Sequence, residues 1–184
     1  MRREEAFSLV KQNIFSENLI KHCLSVEAAM RALAFHFGED EEKWGLAGLI
    51  HDIDYEVTKK DPDRHSYVAA EMLKDLNIDE DVVSAVKVHN YEHRIEPETL
   101  IEKALFVSDP TTGLIVASTL VLPSKKIKDL KIESILKRYK EKSFAKGANR
   151  GIISRVEEYL DLSLEDFFEI SLKAMQGISK ELGL

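Results

Sequence analysis

Six residues of this chain could do chemistry together: His22, the adjacent pair His51 and Asp52, then His65, His89 and Asp109. Imidazole and carboxylate are donor types that hold first-row transition metals, and a metal with an open coordination position can activate water or polarise a phosphate oxygen. Cys23 is the single cysteine, which rules out an intramolecular disulfide and a metal site built on several thiolates. Any metal must therefore be held by His, Asp and Glu. Taken singly, each candidate has a structural explanation. A histidine at the edge of an apolar stripe is often a hydrogen-bonded core residue, one at a helix C-terminus interacts with the helix dipole, and Asp109 before Pro110 could cap or turn the chain. Taken together they are harder to explain away. Several imidazoles and a carboxylate buried without partners would cost several kcal/mol, and one ion satisfies them at once.

The elements that must position these residues read as helices. Leu19, Cys23, Val26, Met30, Leu33 and Phe37 recur at spacings of three and four, which predicts a long amphipathic helix over about 16 to 37 with His22 at the edge of its apolar stripe. In "GEDEEKWGLAGLIHDI" acidic residues precede an apolar stripe, predicting a second helix near 40 to 52 that ends on His51 and Asp52. Asp61, Pro62 and Asp63 mark a loop. A third helix carries Tyr67, Ala70 and Leu73, with His65 just before or within its first turn. A fourth carries Val82, Val83 and Val86, and His89 continues that line. A fifth opens at Pro97, places Asp109 four residues after Leu105, and runs on through Leu114 before Pro123 ends the stretch. "SKKIKDLKIESILKRYKEKSFAKGANR" is markedly basic, and "SLEDFFEISLKAMQGISKELGL" opens on a Ser-x-x-Asp start resembling a capping box before a final helix. Strand-like alternation and internal repeats are not found. The expected architecture is an all-α, single-domain helical bundle over 1–184, with the motif region at about 17–120 and a helical extension over 124–184, its site built from side chains on facing helices.

Composition bounds the partners. With 184 residues, 44% of them hydrophobic, the chain can bury a full core. No apolar run approaches the ~20 residues that cross a bilayer, and "MRREEAFSLVKQN" lacks the features of a signal peptide, so a cytoplasmic protein with no membrane partner is expected. The net charge of -7 disfavours broad nucleic-acid binding, which depends on cations neutralising phosphates. A small anionic substrate remains compatible where local cations outweigh the global field.

In this order and at these intervals, preceded by "LAGLI" and followed by "FVSDPTTGL", His22, His51-Asp52 and Asp109 resemble the HD superfamily of metal-dependent phosphohydrolases. The resemblance covers about residues 17 to 120 and implies an HD-type helical bundle in which these four residues coordinate one divalent metal. His65 in "RHSYVAAEML" and His89 in "SAVKVHNY" match the additional histidines of branches that hold two metals, with Asp52 bridging. The run "HDIDYE" also looks like that of stand-alone bacterial and archaeal hydrolases of this superfamily. The resemblance further implies hydrolysis of a small phosphate ester, such as a nucleotide, by a phosphohydrolase or phosphodiesterase using metal-activated water. His51 and Asp52 stand at its catalytic centre, and the cofactor is one or two ions of Mn, Fe, Co, Ni, Zn or Mg. The same ligand order resembles the myo-inositol oxygenase group, whose di-iron centre activates dioxygen, and a non-catalytic module of the same fold is the third reading.

The chain also departs from the superfamily. Branches that cleave cyclic dinucleotides usually have Gly and Lys where Asp54 and Tyr55 stand, so that activity is not expected. Some nucleotidase branches place Glu three residues after the aspartate, where this chain has Tyr55, with Glu56 one position late. The general acid is therefore unassigned: Asp54 and Glu56 are the candidates for it, but on a solvated loop they read as surface charges. His36, beside a helix end, and His93, in the loop-like "NYEHRIEPE", read as non-ligands. For the substrate phosphate, Arg64, Lys146 and Arg150 are the candidate contacts, Arg for its bidentate geometry and the two near Gly147 and Gly151 for close backbone approach. Lys125, Lys126 and Lys128 read as solvated charge, and Phe167 and Phe168 as core.

Overall fold

The computed structural model describes all 184 residues and is all-α. Helix α1 (Arg3–Asn13) leads into the long α2 (Glu17–Phe37), which Ser16 starts by accepting from the Leu19 amide and Gly38 ends in the left-handed conformation at φ 71°. Asp40 caps α3 (Glu41–Ile50) by accepting from the amides of Glu42 and Lys43. The chain then turns through residues 51–54 into α4 (Tyr55–Thr58), a 3-10 turn at Pro62–Arg64, α5 (Tyr67–Leu73) and α6 (Glu80–Val88). The second helix thus ends two residues earlier than expected, and the His51-Asp52 pair sits in the turn that leaves it.

Helix α7 (Leu100–Leu120) crosses the molecule. It opens at Leu100 and not at Pro97, because Thr99 and Glu102 form a reciprocal cap. The Thr99 hydroxyl accepts from the Glu102 amide, and the Glu102 carboxylate accepts from the Thr99 amide at 3.0 Å and the Glu98 amide at 2.8 Å. Pro110 lies inside this helix, where it withholds one N–H from the ladder without ending it. Asp109 is therefore a mid-helix residue and not a turn residue.

Beyond α7 the basic stretch forms a 3-10 turn at Ile127–Asp129, then α8 (Ile132–Lys140), α9 (Arg150–Ile153) and α10 (Val156–Leu160). The last long helix, α11 (Leu164–Gly177), begins on Ser163, whose hydroxyl accepts from the Asp166 amide at 3.1 Å as the Ser-x-x-Asp pattern predicts, and α12 (Ser179–Leu182) follows it. Helix α2 packs on α3, α7 and α11, and one apolar core runs from Ala6 on α1 to Leu182 on α12 with Phe167 and Phe168 fully buried. No helix is long and apolar enough to cross a membrane.

A backbone contact between α2 and α3 bears on the site. A Cβ at Gly48 would stand 2.8 Å from the carbonyl oxygen of Val26, so only glycine lets the end of α3 lie directly on the backbone of α2. Val26 is one turn beyond His22 and Gly48 three residues before His51. This contact brings the two histidine rings together edge-on, with centroids 5.1 Å apart.

Candidate metal centre

Five segments deliver the six residues singled out by type. His22 comes from the second turn of α2, His51 and Asp52 from the turn after α3, His65 from just before α5, His89 from the end of α6, and Asp109 from the middle of α7. All six converge. The Nε2 of His22 lies 3.0 Å from Asp109 Oδ1, 3.7 Å from Asp52 Oδ2 and 3.2 Å from the Nε2 of His51, which is itself 3.4 Å from Asp52 Oδ2. The other oxygen of Asp52, Oδ1, faces Nε2 of His65 at 3.2 Å and Nε2 of His89 at 3.5 Å. Asp52 thus divides the cluster into two halves and belongs to both.

The far side of each ring fixes its tautomer. Nδ1 of His51 is 2.8 Å from the Gly48 carbonyl, and Nδ1 of His89 is 2.6 Å from that of Val86. A carbonyl only accepts, so each Nδ1 carries a proton and donates it. The Nδ1 of His65 donates to Asp54 at 2.9 Å. The Thr112 hydroxyl spends its proton on the Asp109 carbonyl at 3.0 Å and so turns its lone pairs toward Nδ1 of His22 at 3.4 Å. Neutral, all four imidazoles would aim bare Nε2 lone pairs at one another and at two carboxylates. Such a donor set has nothing to donate to, and a cation is what it fits.

The electrostatics agree. Burial alone would lower His51, but the carboxylates of Asp52 and Asp109 raise it to about 9. Burial likewise opposes the rise of His65 to about 10, which Asp52 and Asp54 bring about. Burial would raise Asp52, yet His51, His65 and His89 hold it well below the usual carboxylate range. Asp109, half-buried, is held low chiefly by His22. The cluster attracts positive charge, whether as protons or as metal.

Asp54 departs from expectation. It is fully buried, not a surface charge, and accepts from His65 Nδ1, from the Ser66 amide at 2.8 Å and from the Ala69 amide at 3.0 Å. Ser66 is held at φ 70°, a conformation that L residues rarely adopt, by these bonds and by its hydroxyl donating to the Lys87 carbonyl at 2.8 Å. Hydropathy could not reveal this, because the burial of Asp54 depends on α5 folding back over it. Glu56 accepts from the amides of Phe15 and Ser16 and pairs with Lys59, tying α4 to the start of α2. His93 is no ligand, but its Nε2 donates to the His65 carbonyl at 2.6 Å. His36 stands apart against Phe37.

The expected phosphate contacts separate. Arg64 is exposed on a shallow depression with Tyr67 and Glu71 that includes none of the six residues. Arg150 turns inward and donates to the carbonyls of Arg138, Tyr139, Phe144, Ala145 and Ala148, which binds the 138–150 loop together and leaves the guanidinium no free edge for phosphate. Lys146 lies on the wall of a small pocket. With Lys142, Asn149, Tyr91 and Arg150 itself it lines a volume of about 310 Å³ that, like the Arg64 depression, includes none of the six residues. A larger depression of about 890 Å³ between α2 and α11 contains none of the six, and its Glu27 is already paired with Arg3 and Arg31.

A family model described as "HD domain" matches residues 19–117, which contain all six residues. The chain belongs to the HD domain family. It is 28% identical over 141 residues to Ribonuclease Y of Lawsonia intracellularis and 30% identical over 152 residues to Ribonuclease Y of Alkaliphilus metalliredigens, covering 75% and 80% of this chain. It spans only 27% and 32% of those relatives. An uncharacterized protein of Methanocaldococcus jannaschii is 29% identical over 175 residues, covering 85% of this chain and 93% of its own length.

Proposed function

We propose that this protein is a metal-dependent phosphohydrolase acting on small phosphate esters, with nucleotides foremost. The observation that carries the proposal is the convergence of four Nε2 atoms and two carboxylates with Asp52 shared between halves. His22, His51, Asp52 Oδ2 and Asp109 would hold one divalent ion, and Asp52 Oδ1, His65 and His89 a second. When bound, such ions supply a Lewis acid for the phosphate oxygens and a water acidic enough to yield hydroxide near neutral pH. The chain's own part is orientation. Gly48, Val86, Asp54 and Thr112 fix the four rings, and the buried walls around Asp52 keep bulk water from competing. Lys142 and Lys146, which line a separate pocket with Tyr91, would offer positive charge to the substrate's anionic oxygens. Asp54 and Glu56 are both occupied by structural bonds, so protonation of the leaving group falls to another group or to solvent.

The name of the Ribonuclease Y relatives points to RNA, and a short oligoribonucleotide therefore belongs in the substrate screen. The test is elemental analysis of protein purified without chelator or polyhistidine tag, followed by phosphate-release assays over small esters. About two equivalents of Mn, Co, Ni or Zn with phosphate release supports the reading. Two irons with oxygen uptake would replace it by a di-iron oxygenase, and metal-free, inactive protein would leave a non-catalytic module.

A further inference from the structure

Asp109, Gly113, Val116, Ala117 and Leu120 recur at spacings of three and four along α7 and share one face of it. On that face a groove of about 480 Å³ opens between the end of α7 and the start of α2, with the segment after α11 closing its far side. His22, whose Nε2 meets Asp109, is also one of the groove's lining residues, so the groove begins where the metal centre ends. The side chains of His22 and Asp109 keep 23% and 30% of their surface open, unlike fully covered His51, which identifies this side as the mouth of the centre. Val116, Ala117, Leu120 and Leu182 make the walls apolar, and Asn18 and Lys21 add an amide and an ammonium. At Gly113, one turn from Asp109, a Cβ would meet nothing within 4 Å, so the absence of a side chain keeps the groove open without any conformational need for glycine.

We infer that this groove takes the ester group of the substrate, and that it selects a planar, largely apolar ring system carrying hydrogen-bonding atoms on its edge over small polyols. The inference rests on the phosphohydrolase reading of the adjoining centre. The volume falls in the range of about 300–1,000 Å³ typical of small-molecule sites, and apolar walls with a few polar groups are the usual composition of one. An Asn amide presents a donor and an acceptor together for the edge atoms of a heterocycle, while the apolar walls cover a ring face and offer no partners to the scattered hydroxyls of a sugar.

The test uses the metal-loaded full chain and a matched pair of esters, adenosine 5′-monophosphate and ribose 5-phosphate, which share the phosphorylated ribose and differ by the ring. The wild type should favour the nucleotide in kcat/KM. Gly113→Phe fills the groove from α7, and Ala117→Phe fills it one turn further along should the first variant fold poorly. Either should lower the ratio of the two kcat/KM values by at least about tenfold, the loss of roughly one good contact. An unchanged ratio in both folded variants overturns the inference. Should the wild type hydrolyse neither ester, it is the reading of the centre that fails. The groove is then judged by saturation-transfer NMR with adenosine alone, where a wild-type signal lost in the variants supports it and equal or absent signals overturn it.

Discussion

Asp54 holds Nδ1 of His65 at 2.9 Å, two residues along the chain from Asp52, whose Oδ1 faces Nε2 of the same ring at 3.2 Å. One imidazole is thus clamped between two carboxylates of a single turn, one fixing its orientation and the other sharing its lone-pair side. Asp54→Asn should remove that clamp, because an amide presents its NH2 either to His65 or to the backbone amides of Ser66 and Ala69. The expected result is a second metal equivalent bound about 10–100-fold more weakly, with the first nearly unchanged. Competitive metal titration reads this directly, and equal weakening of both equivalents would refute the division of the cluster.

Asp52 belongs to both halves, so Asp52→Ala should lose both equivalents and all hydrolase activity. His65→Ala and His89→Ala should lose only the second equivalent. Elemental analysis of the three variants separates these outcomes, and full metal content with normal turnover in Asp52→Ala would sink the mechanism.

Much of this was legible in the sequence, for a physical reason. Helices α2 and α6 expose their burial as a three-and-four spacing with which His22 and His89 keep register, and Asp109 follows buried Leu105 by four on α7, so their inward direction could be read before any fold was known. What could not be read depends on contacts distant in sequence. The burial of Asp54 requires α5 to fold over the turn, and the inward turn of Arg150 requires its own loop to present five carbonyls. Neither leaves a periodic signal. Arg150 looked like a phosphate ligand because an arginine beside glycines has the same sequence whether it faces a ligand or its own backbone.

Gly48 should be among the least replaceable residues. A Cβ there would meet backbone atoms of Val26 and Glu27 at 2.8 to 2.9 Å, and backbone cannot rotate aside. Gly48→Ala should destabilise the fold by about 1–3 kcal/mol despite alanine's better helix propensity. It should also weaken the first metal equivalent by parting His22 from His51. Thermal denaturation with and without metal checks both, and an unchanged or raised Tm would contradict the close packing of α3 on α2.

Metal uptake should release protons. His51 and His65 are raised from 6.5 to about 9 and about 10, burial opposing and the neighbouring carboxylates prevailing. In metal-free protein their contribution to stability is therefore fully present below the unfolded value and lost as pH rises through about 9 to 10. Since a metal displaces these protons, its apparent affinity should climb with pH across the same window. Calorimetric titrations near pH 7.5, run in buffers of different ionisation heat, should give different observed enthalpies; identical values would mean that the rings are already unprotonated.

Arg150 and Lys146 lie four residues apart and should behave oppositely. The Arg150 guanidinium donates to five carbonyls of residues 138–148, and its loss leaves them without those donors. Arg150→Ala should cost about 2–4 kcal/mol and loosen the loop that carries the lysine pocket, so that protease cutting within 138–150 speeds up. Lys146→Ala removes charge from the pocket wall but no internal bond. Its Tm should hold while KM for the phosphate ester rises several-fold and kcat changes little, the pattern of lost ground-state binding. The reverse result, a stable Arg150→Ala with raised KM beside a kinetically silent Lys146→Ala, would return the arginine to the substrate and remove the lysine from it.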